Sequence, residues 1–288
     1  VAEQYKFNRS YLLTFSFNDS RNDINIEPPL NIEFECTKYD TGSTSSAIIK
    51  VYNLNVKNRL HIEKNDTDTS KIIKISLKVG YKNSDSLNLK NLFIQSVLRS
   101  YTYRDGADYI TIIECNNSTN ILDKPLPPTG IKNLNQLINY CADGMKEFGI
   151  TKGAVNQRIN NTRPLVAFGN AYDLLFDQIQ KNETFFIDDE QFYILKNNQV
   201  VSRFIPIVSA DTGLLDTPIM QDSLINFSML ISPEVKLARR FEIISTVNSK
   251  VNNVYKCIQI QYSGNYMGDN WIQTVTGTLS NNYEVISK

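Results

Sequence analysis

The chain has 288 residues and balanced charge, with 30 basic and 30 acidic side chains, and its hydrophobic fraction is 41%. That length suffices for two or three compact units with cores of their own. The charge balance argues against a general nucleic-acid-holding role, which calls for a basic excess or face, and the apolar content argues against disorder.

The first part of the chain, residues 1–120, reads as strands. Val1 to Ser10 lacks a secretory pattern, so no secretory route is expected. Tyr11 to Phe17 opens the set, and Ile32 to Cys36 alternates apolar with acidic residues, the period of a half-buried strand. Ala47, Ile49 and Val51 share one face of the next strand. Ile73, Ile75, Leu77 and Val79 alternate with Lys74, Ser76 and Lys78, and Phe93 to Tyr103 is a long strand. Arg104-Asp105-Gly106-Ala107 then turns into Tyr109 to Cys115, because an Asp-Gly pair between two such runs marks a hairpin. Strands without a convincing helix predict a closed or sandwiched β domain.

Residues 121–200 predict a small α/β unit. Lys124-Pro125-Leu126-Pro127-Pro128-Thr129-Gly130 reads as a linker or domain edge. Leu134, Leu137, Ile138, Cys141, Met145 and Phe148 then lie on one face of a helix that stops at Gly149. A second helix follows Gly169-Asn170, burying Ala171, Leu174, Leu175 and Ile179. Glu183 to Ile187 and Gln191 to Leu195 form a hairpin around Asp188-Asp189-Glu190.

Residues 201–288 return to strands, at Val200 to Val208, Ile225 to Leu230, Arg240 to Ser245, Tyr255 to Tyr262 and Trp271 to Thr278. The expected fold is therefore mainly β with a small α/β insert, a helix-hairpin unit between two β domains. No run approaches the ~18 apolar residues of a membrane span, so no direct membrane anchor is expected.

Reactive chemistry is sparse. His61 is the sole histidine and lies in a short helical or loop segment, so a Ser-His-Asp arrangement has no further histidine to draw on. Asp188-Asp189-Glu190 is the densest acidic cluster. It reads as a solvated hairpin turn, the alternatives being a hard-cation site or an acid/base pair. Asp66-Thr67-Asp68 lacks the regular spacing of a calcium loop. Gly264-Asn265-Tyr266-Met267-Gly268 reads as a hairpin loop, not a phosphate cradle, since no helix follows it. Cys36, Cys115, Cys141 and Cys257 show no zinc spacing and read as buried free thiols, implying assembly in a reducing cytoplasm, with a disulfide between distant strands as the alternative. Catalytic, metal and cofactor sites are therefore expected to be absent. The aromatics follow strand alternation and read as core and subunit contacts.

An ordered set of segments resembles the phage baseplate hub protein family. Ser209 to Pro218, with Gly213, Leu214 and Pro218, resembles its Thr-Gly-Leu-x-x-x-Pro segment. Leu230-Ile231-Ser232-Pro233-Glu234-Val235-Lys236, with Pro233, resembles its Leu-x-Pro-x-Leu-Lys. Tyr255, Gly264, Gly268 and Trp271 fall in segments similar to its ending. Ala47 to Leu54, Lys78 to Tyr81 and Gly169 to Leu175 match earlier parts. Ala238 stands where the family often has Gly, Tyr262 where it often has His, and Asn265 where it often has Asp. The resemblance implies a virion structural protein assembled in the host cytoplasm, with two tail-tube-like β-barrel domains per subunit. It further implies a homotrimer whose pseudo-sixfold ring joins the hexameric tail tube to the central spike. Implied partners are the tail tube, spike and tape-measure proteins and other baseplate subunits, with DNA only in transit during ejection. A distal tail or spike-base protein is the nearest alternative. A carbohydrate-active enzyme or binding module, using carboxylates near Asp188 or Asp211, is the more distant one.

Overall fold

The computed structural model describes residues 8–19, 21–68, 70–82, 88–117, 124–156, 165–279 and 283–286. The first alternating patterns become β1 (Arg9–Phe17), β2 (Ile24–Ile26), β3 (Ile32–Tyr39), β4 (Ser46–Tyr52), β5 (Ile73–Tyr81), β6 (Lys90–Asp105) and β7 (Asp108–Asn116). Their inward side chains, among them Leu13, Phe15, Phe34, Ile49, Ile75 and Phe93, are buried almost completely. A short helix, α1 (Val56–Ile62), starts where the Asn55 side chain accepts a hydrogen bond from the Asn58 amide, an N-cap. It carries His61.

The middle of the chain holds β8 (Pro125–Ile131), α2 (Leu134–Met145), β9 (Thr151–Val155), β10 (Leu165–Asn170), α3 (Ala171–Phe176), β11 (Glu183–Asp188) and β12 (Gln191–Lys196). Helix α2 buries the predicted stripe from Leu134 to Met145. One 3-10 turn extends it to Phe148, and Gly149, at φ +74°, ends it in a left-handed conformation that suits glycine. With Ile131, Leu175, Phe185 and Phe192 the stripe forms a core separate from the main one. The Pro-rich stretch is not a linker. It is strand β8, paired antiparallel with β10. Two-stranded ribbons consist of edges only, where proline's missing N–H costs least.

The last part supplies β13 (Gln199–Val200), β14 (Ile207–Val208), β15 (Ile219–Gln221), β16 (Leu224–Leu230), β17 (Arg240–Ile243), β18 (Val254–Asn265), β19 (Trp271–Leu279) and β20 (Glu284–Val285). The single strand expected from Val200 to Val208 is broken into β13 and β14. Between them the chain leaves the ladder, with the Val201 amide turned to the Ala238 carbonyl.

The chain is mostly strand, as expected, but the pairing differs from two closed barrels. One thirteen-stranded sheet runs β15-β16-β19-β18-β3-β4-β7-β6-β5-β1-β2, with β17 attached to β18 and β14 to β17. β18 makes this continuity. One of its edges takes β19, and the other is shared: Val254 to Lys256 pair with β17 and Gln259 to Asn265 with β3. An irregularity between Cys257 and Gln259 marks the changeover, where a bulge bends the strand. The main core lies beneath this sheet and draws on both ends of the chain. The sheet rolls until β1 and β5 meet the last third through side chains, not through a ladder. Tyr81 donates its hydroxyl proton to the Ile231 carbonyl (2.9 Å), and the Tyr11 ring meets Tyr266 edge-on.

Candidate functional site

The β18–β3 seam is built around a glycine. Gly264 faces Phe34 on one side and Trp271 on the other. A Cβ at Gly264 would lie inside the van der Waals envelope of the Phe34 ring and 3.1 Å from Trp271. Its absence lets the two rings meet edge to face, centroids 5.4 Å apart, and both are buried. Such a pair adds about 0.5–1.5 kcal/mol beyond its buried area. The Arg9 guanidinium lies 5.4 Å from the Trp271 ring and donates to the Tyr266 and Gly268 carbonyls, so β1 is fastened to the same spot.

Asn265 shapes the loop that follows. Its side-chain oxygen accepts from the Met267 and Gly268 amides, and its amide nitrogen donates to Glu33 (3.0 Å). A Cβ at Gly268 would strike that side chain. Tyr255 is buried against Phe241 and donates to the Val251 carbonyl (2.8 Å). Gly213, at φ +99°, opens its carbonyl to the Leu230 amide, and Leu214 bridges to Met229. Pro218 is buried just before β15, and Pro233 is half-buried in the loop after β16. Thus Gly264, Gly268 and Trp271 come together at the seam. Gly213, Leu214 and Pro218 gather at the β15–β16 end instead. Ala238 has φ +54°, a left-handed angle that suits glycine better than alanine.

The seam gives the sheet one uninterrupted accessible face. Ser228, Thr274, Gln261, Thr37, Ser46 and Asn116 are successive partners across β16, β19, β18, β3, β4 and β7, and all are uncharged and polar. A parallel row holds Ser263, Glu35, Ile48, Glu114 and Arg99, and a further row pairs Asn265, Glu33 and Lys50. The cations here are paired across strands, Arg99 with Glu114 (2.7 Å) and Lys50 with Glu33 (3.4 Å).

The acidic hairpin Asp188-Asp189-Glu190 is not a solvated turn. It is driven into the joint between the insert and the sheet. Lys38 of β3 meets Asp188 (2.6 Å) and Asp189 (3.1 Å), Lys236 meets Asp189 (2.8 Å), and Lys74 of β5 meets Glu190. Burial works against the charged form of Lys38, but Asp188 and Asp189 outweigh it and hold its pKa well above the ordinary lysine value. Burial, reinforced by repulsion from Asp189, raises the Asp188 carboxyl despite Lys38. Asp189 also resists burial, yet two lysines pull it below the usual value. A second interior pair, Lys256 with Asp40 (3.3 Å), lies close to Asn197, whose carbonyl accepts from the same ammonium. Sequence reading missed this clamp. Its signal was phase: Lys38 follows Phe34 and Cys36 on the inward side of β3.

These groups hold surfaces together; they do not assemble a reaction centre. Asp188 is tied to Lys38 in the interior, while Asp211 is exposed in the turn after β14. Among the described residues no cluster of His, Cys, Asp and Glu has the make-up of a metal site, and no helix is long and apolar enough to cross a membrane. The four cysteines are buried and unpaired, and burial pushes the Cys36 and Cys141 thiols up to about 12.

The model of the family Baseplate hub gp41 matches residues 12–277. The chain belongs to this baseplate hub family. No curated protein matches the sequence. Among solved structures, the hub is similar to the 43 kDa tail protein of prophage MuSo2 from Shewanella oneidensis, with 8% identity, TM-score 0.56, and 93% and 97% of the two chains covered. It is also similar to a tail protein from Neisseria meningitidis, with 6% identity, TM-score 0.56, and 95% and 98% covered. A third likeness is an E. coli type VI secretion component described as similar to the T4 tail proteins gp27 and gp5, with 8% identity, TM-score 0.55, and 94% and 78% covered. At such identity these are likenesses of fold. The family is a structural one, so the hub is a phage-tail component of the virion and not an enzyme.

Proposed function

We propose that the hub assembles as a homotrimer in which each subunit contributes two tube-like β regions, residues 1–120 and 201–288, with residues 121–200 as an outer insert. Three such subunits make a pseudo-sixfold ring between the hexameric tail tube and the central spike. The observation that carries this reading is the run β15-β16-β19-β18-β3-β4-β7-β6, which joins both β regions side by side under one accessible face. A wall of this kind lines a passage without gripping what moves through it. Holding DNA takes unpaired lysine or arginine, whereas the central row is hydroxyl and amide and the flanking Lys50 and Arg99 are paired. DNA and a tape-measure protein would therefore pass during ejection, and tube, spike and other baseplate proteins would bind at the rims. Assembly in the host cytoplasm accords with four reduced, buried thiols. The residues Gly213, Leu214, Pro218, Pro233, Tyr255, Gly264, Gly268 and Trp271 serve as structural positions of this wall. A symmetry-resolved image of the native particle tests the proposal: three copies between sixfold tube and spike are expected. Six copies around the tube would replace it with a distal-tail role, and copies confined to the spike base would replace it with a spike-base role.

A further inference from the structure

A cavity of about 260 Å³ opens at the joint between the insert and the sheet, beside the acidic clamp. Segments distant in sequence wall it. The β11–β12 hairpin supplies Asp188, Asp189, Gln191 and Tyr193, and the stretch before β17 supplies Lys236 and Arg239. Val201, just after β13, and Ile286, just after β20, add an aliphatic wall.

Most polar groups around the cavity are engaged with one another. Lys38 holds Asp188, and Lys38 and Lys236 together hold Asp189. Glu190 is matched by Lys74. Glu284, two residues before Ile286, accepts from the Gln199 side chain (3.0 Å) and lies outside the lining. Two donors are left over. Arg239 is half-buried, and among the described residues its guanidinium has no hydrogen-bond or carboxylate partner. The Tyr193 hydroxyl donates to the Gln191 side-chain oxygen (2.9 Å), which fixes the amide and leaves its NH2 without an acceptor among the described residues. The charges agree with this count. Lys38, Lys236 and Arg239 stand against Asp188 and Asp189, so one positive charge is unmatched.

We propose that this cavity binds a single carboxylate group, either the glutamate side chain of a protein partner or a small organic acid of the same chemistry. A guanidinium presents parallel N–H groups that match the two oxygens of a carboxylate, and the Gln191 NH2 adds a donor beside it. Val201 and Ile286 suit the methylene stem behind the charge, the usual division between apolar lining and a few placed polar groups. The volume lies below the about 300–1,000 Å³ of sites for drug-sized ligands, which favours one side chain or a small acid. A doubly charged phosphate fits less well, since one unmatched cation would face two negative charges set beside Asp189. Gln191 belongs to the insert and Arg239 to the segment leading into β17, so the bound group ties the two together. The inference does not depend on the ring assembly proposed above.

Amide chemical shifts of the full chain, followed during titration with N-acetylglutamate N-methylamide at constant ionic strength, test the site. Saturable shifts at Gln191, Val201 and Arg239 are expected, and the uncharged N-acetylglutamine N-methylamide is expected to bind about tenfold or more weakly. Arg239→Gln is expected to lose about tenfold or more in affinity for the capped glutamate. Arg239→Lys, which keeps the charge without the fork, is expected to retain part of it. Circular dichroism confirms that both variants fold. Propionate separates the two sources. Binding as tight as that of the capped glutamate assigns the site to a small organic acid, and weaker binding assigns it to a protein side chain; both uphold the carboxylate site. Absence of shifts at the cavity, equal binding of the capped glutamine, or a folded Arg239→Gln chain that binds like wild type overturns the inference.

Discussion

Asp189 is the centre of the joint between insert and sheet, because two lysines converge on it. Asp189→Asn keeps the left-handed turn at φ +46°, which asparagine tolerates, but takes the carboxylate from Lys236 and leaves Lys38 in the interior with Asp188 alone, whose charge burial opposes. Breaking a buried pair from one side costs on the order of 3 kcal/mol, a loss that urea unfolding at neutral pH would record. Asp188→Asn should cost less, since burial and Asp189 already oppose its charge. The pH dependence follows from the signs. Asp189 has a depressed folded pKa, so its contribution is present above the ordinary carboxylate value and disappears as pH falls through the folded one. Lys38 has a raised one, so its contribution holds below the ordinary lysine value and is lost as alkali passes the folded one. An Asp189→Asn variant should therefore unfold with a flatter acid profile than wild type. At Gly264 the test is steric. Gly264→Ala should destabilise by roughly 1–3 kcal/mol through overpacking, and Phe34→Leu in the same chain should return part of that loss. Much at this scale was legible: the helix stripe from Leu134 to Met145 and the buried cysteines follow from spacing alone. The clamp was not, because three adjacent carboxylates look the same in water and against lysines that lie 47 to 150 residues away in the chain.

Among the elements, β18 and β15 are opposites. β18 is paired along both edges over most of its length, and its inward residues Tyr255, Ile260 and Tyr262 are wholly buried. β15 has three residues, all exposed, and a single partner. In the isolated monomer, amide hydrogen exchange should release β15 by local opening and β18 only with global unfolding. Comparable rates in the two strands would contradict that picture. Element type was readable wherever alternation was long, as in β5 and β7. It was not readable for β8, where Pro125, Pro127 and Pro128 mask a strand that buries only its last residue, Ile131. Nor did the run from Val200 to Val208 show its break, since its apolar residues point to a core whether or not they lie in a ladder.

For the whole molecule, side-chain period reveals which face of a strand is inward but not which strand lies beside it. The two β regions were therefore visible as separate sets, while their fusion through β18 and β3 was not. No local pattern announces that the second edge of β18 is divided between β17 and β3. Closure by Arg9, Tyr11 and Tyr81 was equally hidden, because it depends on contacts such as Arg9 to Tyr266 across most of the chain. The thiols offer a global check. All four cysteines should resist a thiol reagent in the folded protein and react after denaturation, because burial removes both access and thiolate.

The packing of Phe34 and Trp271 across Gly264 also bears on inheritance. A position near the start of the chain and two near its end share one small volume, so none of them drifts freely while the others stay fixed. The two halves then descend as a matched set. A chimera that takes residues 1–120 from a relative with a different side chain at position 34 should fold poorly until positions 264 and 271 are exchanged with it.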